Sequence, residues 1–204
     1  MGNNQQKKLQ YETKYFNNPI DLLRSSQQVY TNICINIDKY KYKKSYFDDR
    51  GINELCSAIF NCKNLINLSL DLRIQDQGLN ELISMICNCT NLQSLNLDLK
   101  YSSITNLNIA KCYNLINLKI NTSWTEVSIM QLICLGSVIL KNFSKLQTLE
   151  IKHKTLDQTI VEDLPNFQWN WDSENNILTK NDIPIYKKMK KLVKLKIDMR
   201  IYLE

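Results

Sequence analysis

The sequence predicts an α/β fold built from one small unit repeated along the chain. Three observations carry that reading. Residues 49–72 and 76–99 align at a shift of 27, and more than half of the 24 paired positions are identical. The identities include Asp49/Asp76, Gly51/Gly78, Leu55/Leu82, Ile59/Ile86, Cys62/Cys89, Asn64/Asn91, Leu65/Leu92, Leu68/Leu95 and Leu70/Leu97. Next, an L-x-x-L-x-L string recurs at Leu65, Leu92, Leu115, Leu146 and Leu192, with a weaker copy at Tyr30-Ile33-Ile35. Alternation of that kind is a short strand with one buried face. Finally, the chain holds only 4 Gly and 3 Pro, too few for a sandwich of many tight turns.

The elements follow in order. Asn18-Pro19 opens a helix over residues 19–28, with Asn as cap and Pro in the first turn; residues 1–17 are expected to be loosely held. Within each long repeat, Ile52, Leu55, Ile59 and Leu79, Leu82, Ile86 stand at helical spacing. Asp49 and Asp76 precede these helices and are expected to cap them. Strand strings start at 30, 65, 92, 115, 146 and 192, so the steps are 35, 27, 23, 31 and 46 residues. The short step, through Ser102 to Lys111, leaves little room for a helix. The apolar run Val127–Leu140 is 14 residues long and interrupted by Ser128, Gln131 and Ser137, which suits a buried helix and is too short to span a membrane.

Composition narrows the function. At 204 residues the chain is one domain or one short repeat array. A single His makes a histidine-based metal site or a Ser-His array a poor bet. Of the net charge of +6, residues 187–204 carry +5, from seven basic side chains against Asp198 and Glu204; the basic end is local. Met1–Gln10 is polar, and the cysteines number seven, so the thiols are expected to be reduced and the chain intracellular. Met1-Gly2-Asn3, followed by Lys7 and Lys8, suggests acylation at Gly2, although Gln6 stands where Ser or Thr is usual.

The string G-x-x-x-L-x-x-x-I-x-x-C-x-x-L-x-x-L-x-L and the 27-residue period resemble the leucine-rich repeat family, ribonuclease-inhibitor-like subclass. The resemblance covers roughly residues 30–200. It implies a solenoid of about six repeats over residues 18–204, a short curved array with parallel strands on a concave face and helices on the convex one. Where the family places Asn or Cys after the strand, this chain has Arg73, Lys100, Ser123, Lys154 and Arg200, so the turn must be closed another way.

Strand period then sets the concave face: Asn67, Ser69, Asp71; Ser94, Asn96, Asp98; Asn117, Lys119, Asn121; Thr148, Glu150, Lys152; and Lys194, Lys196, Asp198. Asp71 and Asp98 should be lateral neighbours, about 5 Å apart. They are either a solvated ladder or a pair that could hold a cation. Cys62, Cys89 and Cys112 share one core position, which argues against a Cys87-x-Cys89 metal site. His153 replaces Leu72 and Leu99 of the other repeats and is expected to pack rather than act as a base. The stretch Lys39–Tyr46 interleaves lysines with tyrosines, a pattern that can contact phosphates and bases or simply line an edge. An insertion at about 156–190 carries Phe167, Trp169 and Trp171; a hairpin there is either a partner contact or a cap.

No nucleophile elbow, phosphate loop, dinucleotide fingerprint or zinc-protease string occurs. What the resemblance implies is then non-catalytic protein binding, without cofactor or metal, as a scaffold subunit or adaptor in a larger assembly, cytoplasmic or cytoskeleton-associated. Trp169, Trp171 and Tyr101 are the expected hot spots. The rival is binding of RNA or an anionic surface through the basic end.

Overall fold

The computed structural model describes residues 13–25, 30–36, 49–109, 111–155, 170–172, 177–179 and 194–201. Its elements run β1 (Thr13–Phe16), α1 (Pro19–Arg24), β2 (Asn32–Asn36), α2 (Asp49–Asn61), β3 (Asn67–Asp71), α3 (Asp76–Cys87), β4 (Ser94–Asp98), β5 (Asn117–Asn121), α4 (Ile129–Asn142), β6 (Thr148–Thr155), β7 (Asn170–Asp172), β8 (Ile177–Thr179) and β9 (Lys194–Ile201). Seven strands form one sheet in the order β1-β2-β3-β4-β5-β6-β9, and every pairing is parallel. The pair β7 and β8 forms a separate antiparallel hairpin, with Trp171 opposite Leu178. The arrangement is an α/β fold, compatible with a solenoid.

The register follows the leucine strings. Ile33, Leu68, Leu95, Leu118 and Leu149 make one lateral row; Ile35, Leu70, Leu97, Ile120 and Ile151 make the next. All ten side chains are buried, and they join the apolar faces of α2 and α3 in one core. Burial of an aliphatic side chain is worth about 1.5–3 kcal/mol, so the rows dominate the stability of the sheet. A one-residue slip would turn every one of them to solvent. Strands β3 to β6 begin with the same device. One carbonyl accepts two successive amides of the next strand: Thr31 from Ile66 and Asn67, Ile66 from Gln93 and Ser94, Gln93 from Ile116 and Asn117, and Ile116 from Gln147 and Thr148.

The helices start as their residues dictate. The Asn18 side chain accepts the Asp21 amide at 2.8 Å, with Pro19 in the first turn of α1. Ser128 and Gln131 form a reciprocal capping box at α4, which occupies the apolar run after Val127. Gly78 lies where α3 passes close to α2: a Cβ there would come within 3.0 Å of Ile52. Among the described residues no helix is long and apolar enough to cross a membrane.

Among its described residues the short step holds no helix, as its length requires. Between β4 and β5 the chain is irregular, and Ile104, Leu107 and Ile109 are buried there. Two features differ from expectation. Thr13–Phe16 is an edge strand against β2 rather than part of a loose tail. Its Thr-Lys-Tyr-Phe string lacks the leucine alternation, and Phe16 is fixed edge-to-face on Tyr30 with ring centroids 5.8 Å apart. Asp76 does not cap its own helix. The cap position belongs to Gln75, and the Asp76 carboxylate reaches the following connection instead.

Candidate functional site

Three polar rows alternate with the core rows, and the register aligns the expected strand residues from β3 to β6 and at β9. Asn32, Asn67, Ser94, Asn117, Thr148 and Lys194 make the first row. Ser69, Asn96, Lys119, Glu150 and Lys196 make the second; Asp71, Asp98, Asn121, Lys152 and Asp198 make the third. The side chains join across the strands. The Asn67 amide donates to Asn32, the Asn96 amide to Ser69 Oγ at 2.9 Å, and Lys119 pairs with Glu150 at 3.3 Å. For the strand β9 the register alone is described.

Asp71 and Asp98 are lateral neighbours as expected, but Asp98 is engaged in closing its own turn. Its Oδ1 accepts the Lys100 amide at 3.3 Å and the Asn121 side-chain amide at 3.0 Å, and Lys100 Nζ lies 3.7 Å from Oδ2. Asn121 repeats the device, accepting the Ser123 amide at 3.1 Å. An Asx turn from the last strand residue therefore closes the turn after both β4 and β5. Buried Ser102 adds a second brace, accepting the Ile74 amide and donating to the Leu72 carbonyl.

Beyond these turns lies a rim that strand periodicity only partly marks. Tyr101 and Trp124 both hold a left-handed backbone, with φ of 62° and 61°. They are 23 residues apart, the same step that separates β4 from β5, so they occupy one repeat position. A bulky residue pays roughly 1–2 kcal/mol for that conformation. Tyr101 is 48% exposed, and the Arg73 guanidinium sits 5.2 Å from its ring centre, a cation–π distance. Trp124 is half-buried, and its amide donates to the Lys154 carbonyl. Tyr101 is among the expected partner contacts; Trp124, at the matching position, is not. The matching step was the available signal.

His153 is buried, at 1% exposure, at the position that holds Leu72 and Leu99 in the two long repeats. Its Nδ1 lies 3.0 Å from the Thr122 carbonyl and 3.1 Å from Thr122 Oγ1; Nε2 has no partner among the described residues. The carbonyl can only accept, so the proton is assigned to Nδ1. Burial lowers the pKa and the bond to Thr122 opposes it, with a net shift downward. A neutral, wedged imidazole of this kind packs the core.

The cysteines require a correction. Cys87 and Cys112 form a disulfide, with Cα atoms 4.5 Å apart, where the sequence suggested seven reduced thiols. Cys87 stands outside the repeated position, so alignment gave no hint that the end of α3 meets the turn before β5. The thiols of Cys62 and Cys89 keep the expected core role, each donating to the carbonyl four residues earlier, Ala58 and Met85. Burial, then the nearby Cys89, pushes Cys62 up to about 12; burial, then Glu81, pushes Cys56 up to about 11.

Gly2, Lys39–Tyr46, Phe167, Trp169 and Lys187–Lys191 lie outside the described residues. Of the insertion aromatics only the backbone of Trp171 is described, in β7. Among the described residues no three His, Cys, Asp or Glu side chains converge so as to hold a metal. No family model matches the chain, and no curated protein is significantly similar to it.

Proposed function

We propose that this chain is a non-catalytic protein-binding module, a leucine-rich repeat array of the ribonuclease-inhibitor-like kind that serves as subunit or adaptor in a larger assembly. One observation carries the reading: a register-locked polar face whose side chains are already bonded to one another, bordered by the Tyr101–Trp124 rim. Such a surface loses little conformational entropy when a partner docks. Aromatic and Arg side chains are the residues that dominate interface energetics. The aromatic insertion around Trp169 and Trp171 would extend the same surface or close the end of the array.

The test is a native pull-down of the tagged chain, split into nuclease-treated and untreated halves and read by mass spectrometry. A stoichiometric protein set that survives nuclease supports the reading. Loss of that set after nuclease shifts the weight to RNA, for which the basic end at Lys187–Arg200 is the sequence feature. The rival also predicts an affinity that falls steeply with salt.

A further inference from the structure

We propose that the Cys87–Cys112 disulfide is a thiol-exchange site, a reducible latch that fixes the helix-less connection between β4 and β5 to α3. This stands independently of the partner-binding reading.

The geometry is of a segment gripped at two points by one helix. At the N-terminal end of α3, the Asp76 carboxylate accepts the amides of Thr105 and Asn106 at 2.9 and 3.3 Å and the Thr105 hydroxyl at 2.6 Å. At the C-terminal end, Cys87 is joined to Cys112. Among the described residues between those points, no helix supplies internal hydrogen bonds. The connection rests on Ile104, Leu107 and Ile109 in the core and on Ser102. Removing one grip therefore loosens the segment that carries Tyr101.

Access is built in as well. A cavity of about 360 Å³ opens beside the disulfide, lined by Cys87, Cys89, Lys111, Cys112, Tyr113 and Asn114, among others. Cys112 is buried and Cys87 is half-buried, so an incoming thiolate reaches the Cys87 sulfur. Lys111 on the wall favours an anionic attacker. Cys89 shares the cavity, but its burial keeps the thiol protonated despite the nearby Lys63, so it is a poor internal nucleophile.

The exchange balances with an external dithiol. Its first thiolate attacks Cys87 Sγ, the S–S bond breaks, and Cys112 leaves as a thiolate that takes up a proton. The second thiol of the reductant then displaces Cys87, leaving two protein thiols and one oxidised reductant. Two electrons and two protons pass to the protein.

The experiment uses the full chain purified without reductant, unfolded in denaturant and alkylated at once. Five alkylated thiols, rising to seven with dithiothreitol, are expected, with the cross-linked peptide containing Cys87 and Cys112. Hydrogen exchange read by mass spectrometry should speed up at least tenfold across residues 99–116 on reduction, with residues 67–71 unchanged. Cys87→Ser/Cys112→Ser should show the fast exchange without reductant. In Cys112→Ser, oxidised glutathione should cap Cys87. Seven alkylated thiols in the oxidised sample, a different cysteine pair, capping at Cys89, or exchange across 99–116 that ignores reduction would each overturn the proposal.

Discussion

At the scale of single residues, two titratable groups make the sharpest predictions. Asp76 is pulled upward by burial, but three hydrogen bonds from Thr105 and Asn106 outweigh that and leave its pKa below the ordinary 3.8. Its contribution is thus complete above 3.8 and fades as pH falls through the lower folded value. Asp76→Asn should lose about 1–2 kcal/mol at pH 7, and the gap to the parent chain should close in acid, as read by urea midpoints. His153 behaves alike in sign, at higher pH. Its pKa sits below 6.5 in the fold, so stability is full above 6.5 and declines as pH drops below it, by up to about 1.4 kcal/mol per pH unit. His153→Leu, which restores the leucine of the sister repeats, should flatten that slope between pH 7.5 and 5. A steep slope in the variant would assign the titration elsewhere. Tyr101→Gly belongs here too. Glycine tolerates the left-handed backbone, so relief of strain offsets the lost ring, and stability should change by less than about 1 kcal/mol. Partner binding should still weaken tenfold or more. Together those results would show that the strained tyrosine is kept for the interface.

At the scale of elements, the turns before the strands share a brace that no motif announced. The Asn91 amide donates to the Lys63 carbonyl and the Asn114 amide to the Thr90 carbonyl, both at 3.0 Å; Lys145 ends the series on Asn114 Oδ1 at 2.9 Å. Each bond reaches back one repeat. Asn91→Ala and Asn114→Ala should each cost about 1 kcal/mol and should add when combined only as far as the two turns act separately, which a thermal melt of the double variant checks. The elements themselves were legible wherever apolar spacing spoke: β3 to β6, α2, α3 and the missing helix follow from it, and α4 from the apolar run after Val127. What was not legible is relational. The partner of Asp76 lies 29 residues away, and that of Cys87 lies 25 away. Neither distance is a strand or helix period. The edge strand β1 was hidden for the opposite reason, since a strand paired on one side needs no buried alternation. In the candidate site, the three outward rows could be read from sequence because they count by twos. The Asx turns at Asp98 and Asn121 could not, because the same acidic row was equally compatible with a solvated ladder.

For the molecule as a whole, stability should be closer to a sum of neighbouring repeats than to one indivisible core. The disulfide then acts locally on a segment but globally on the unfolded chain. Closing a loop of 25 residues is worth about 3–4 kcal/mol in the chain-entropy account. Urea unfolding of the oxidised and reduced chain should differ by that order at neutral pH. A difference near zero would mean that the unfolded chain keeps the two cysteines close without the bond.

The sequential strand order has a mechanical consequence. The first strand of the sheet lies at one edge and the last at the other. A pull on the two ends therefore peels the outer strands away in turn, rather than shearing all ladders at once. Such a chain would lengthen in a series of small steps under modest tension. Oxidised, it would withhold the slack between Cys87 and Cys112 from that extension; a reductant added during the pull would release it as one further step.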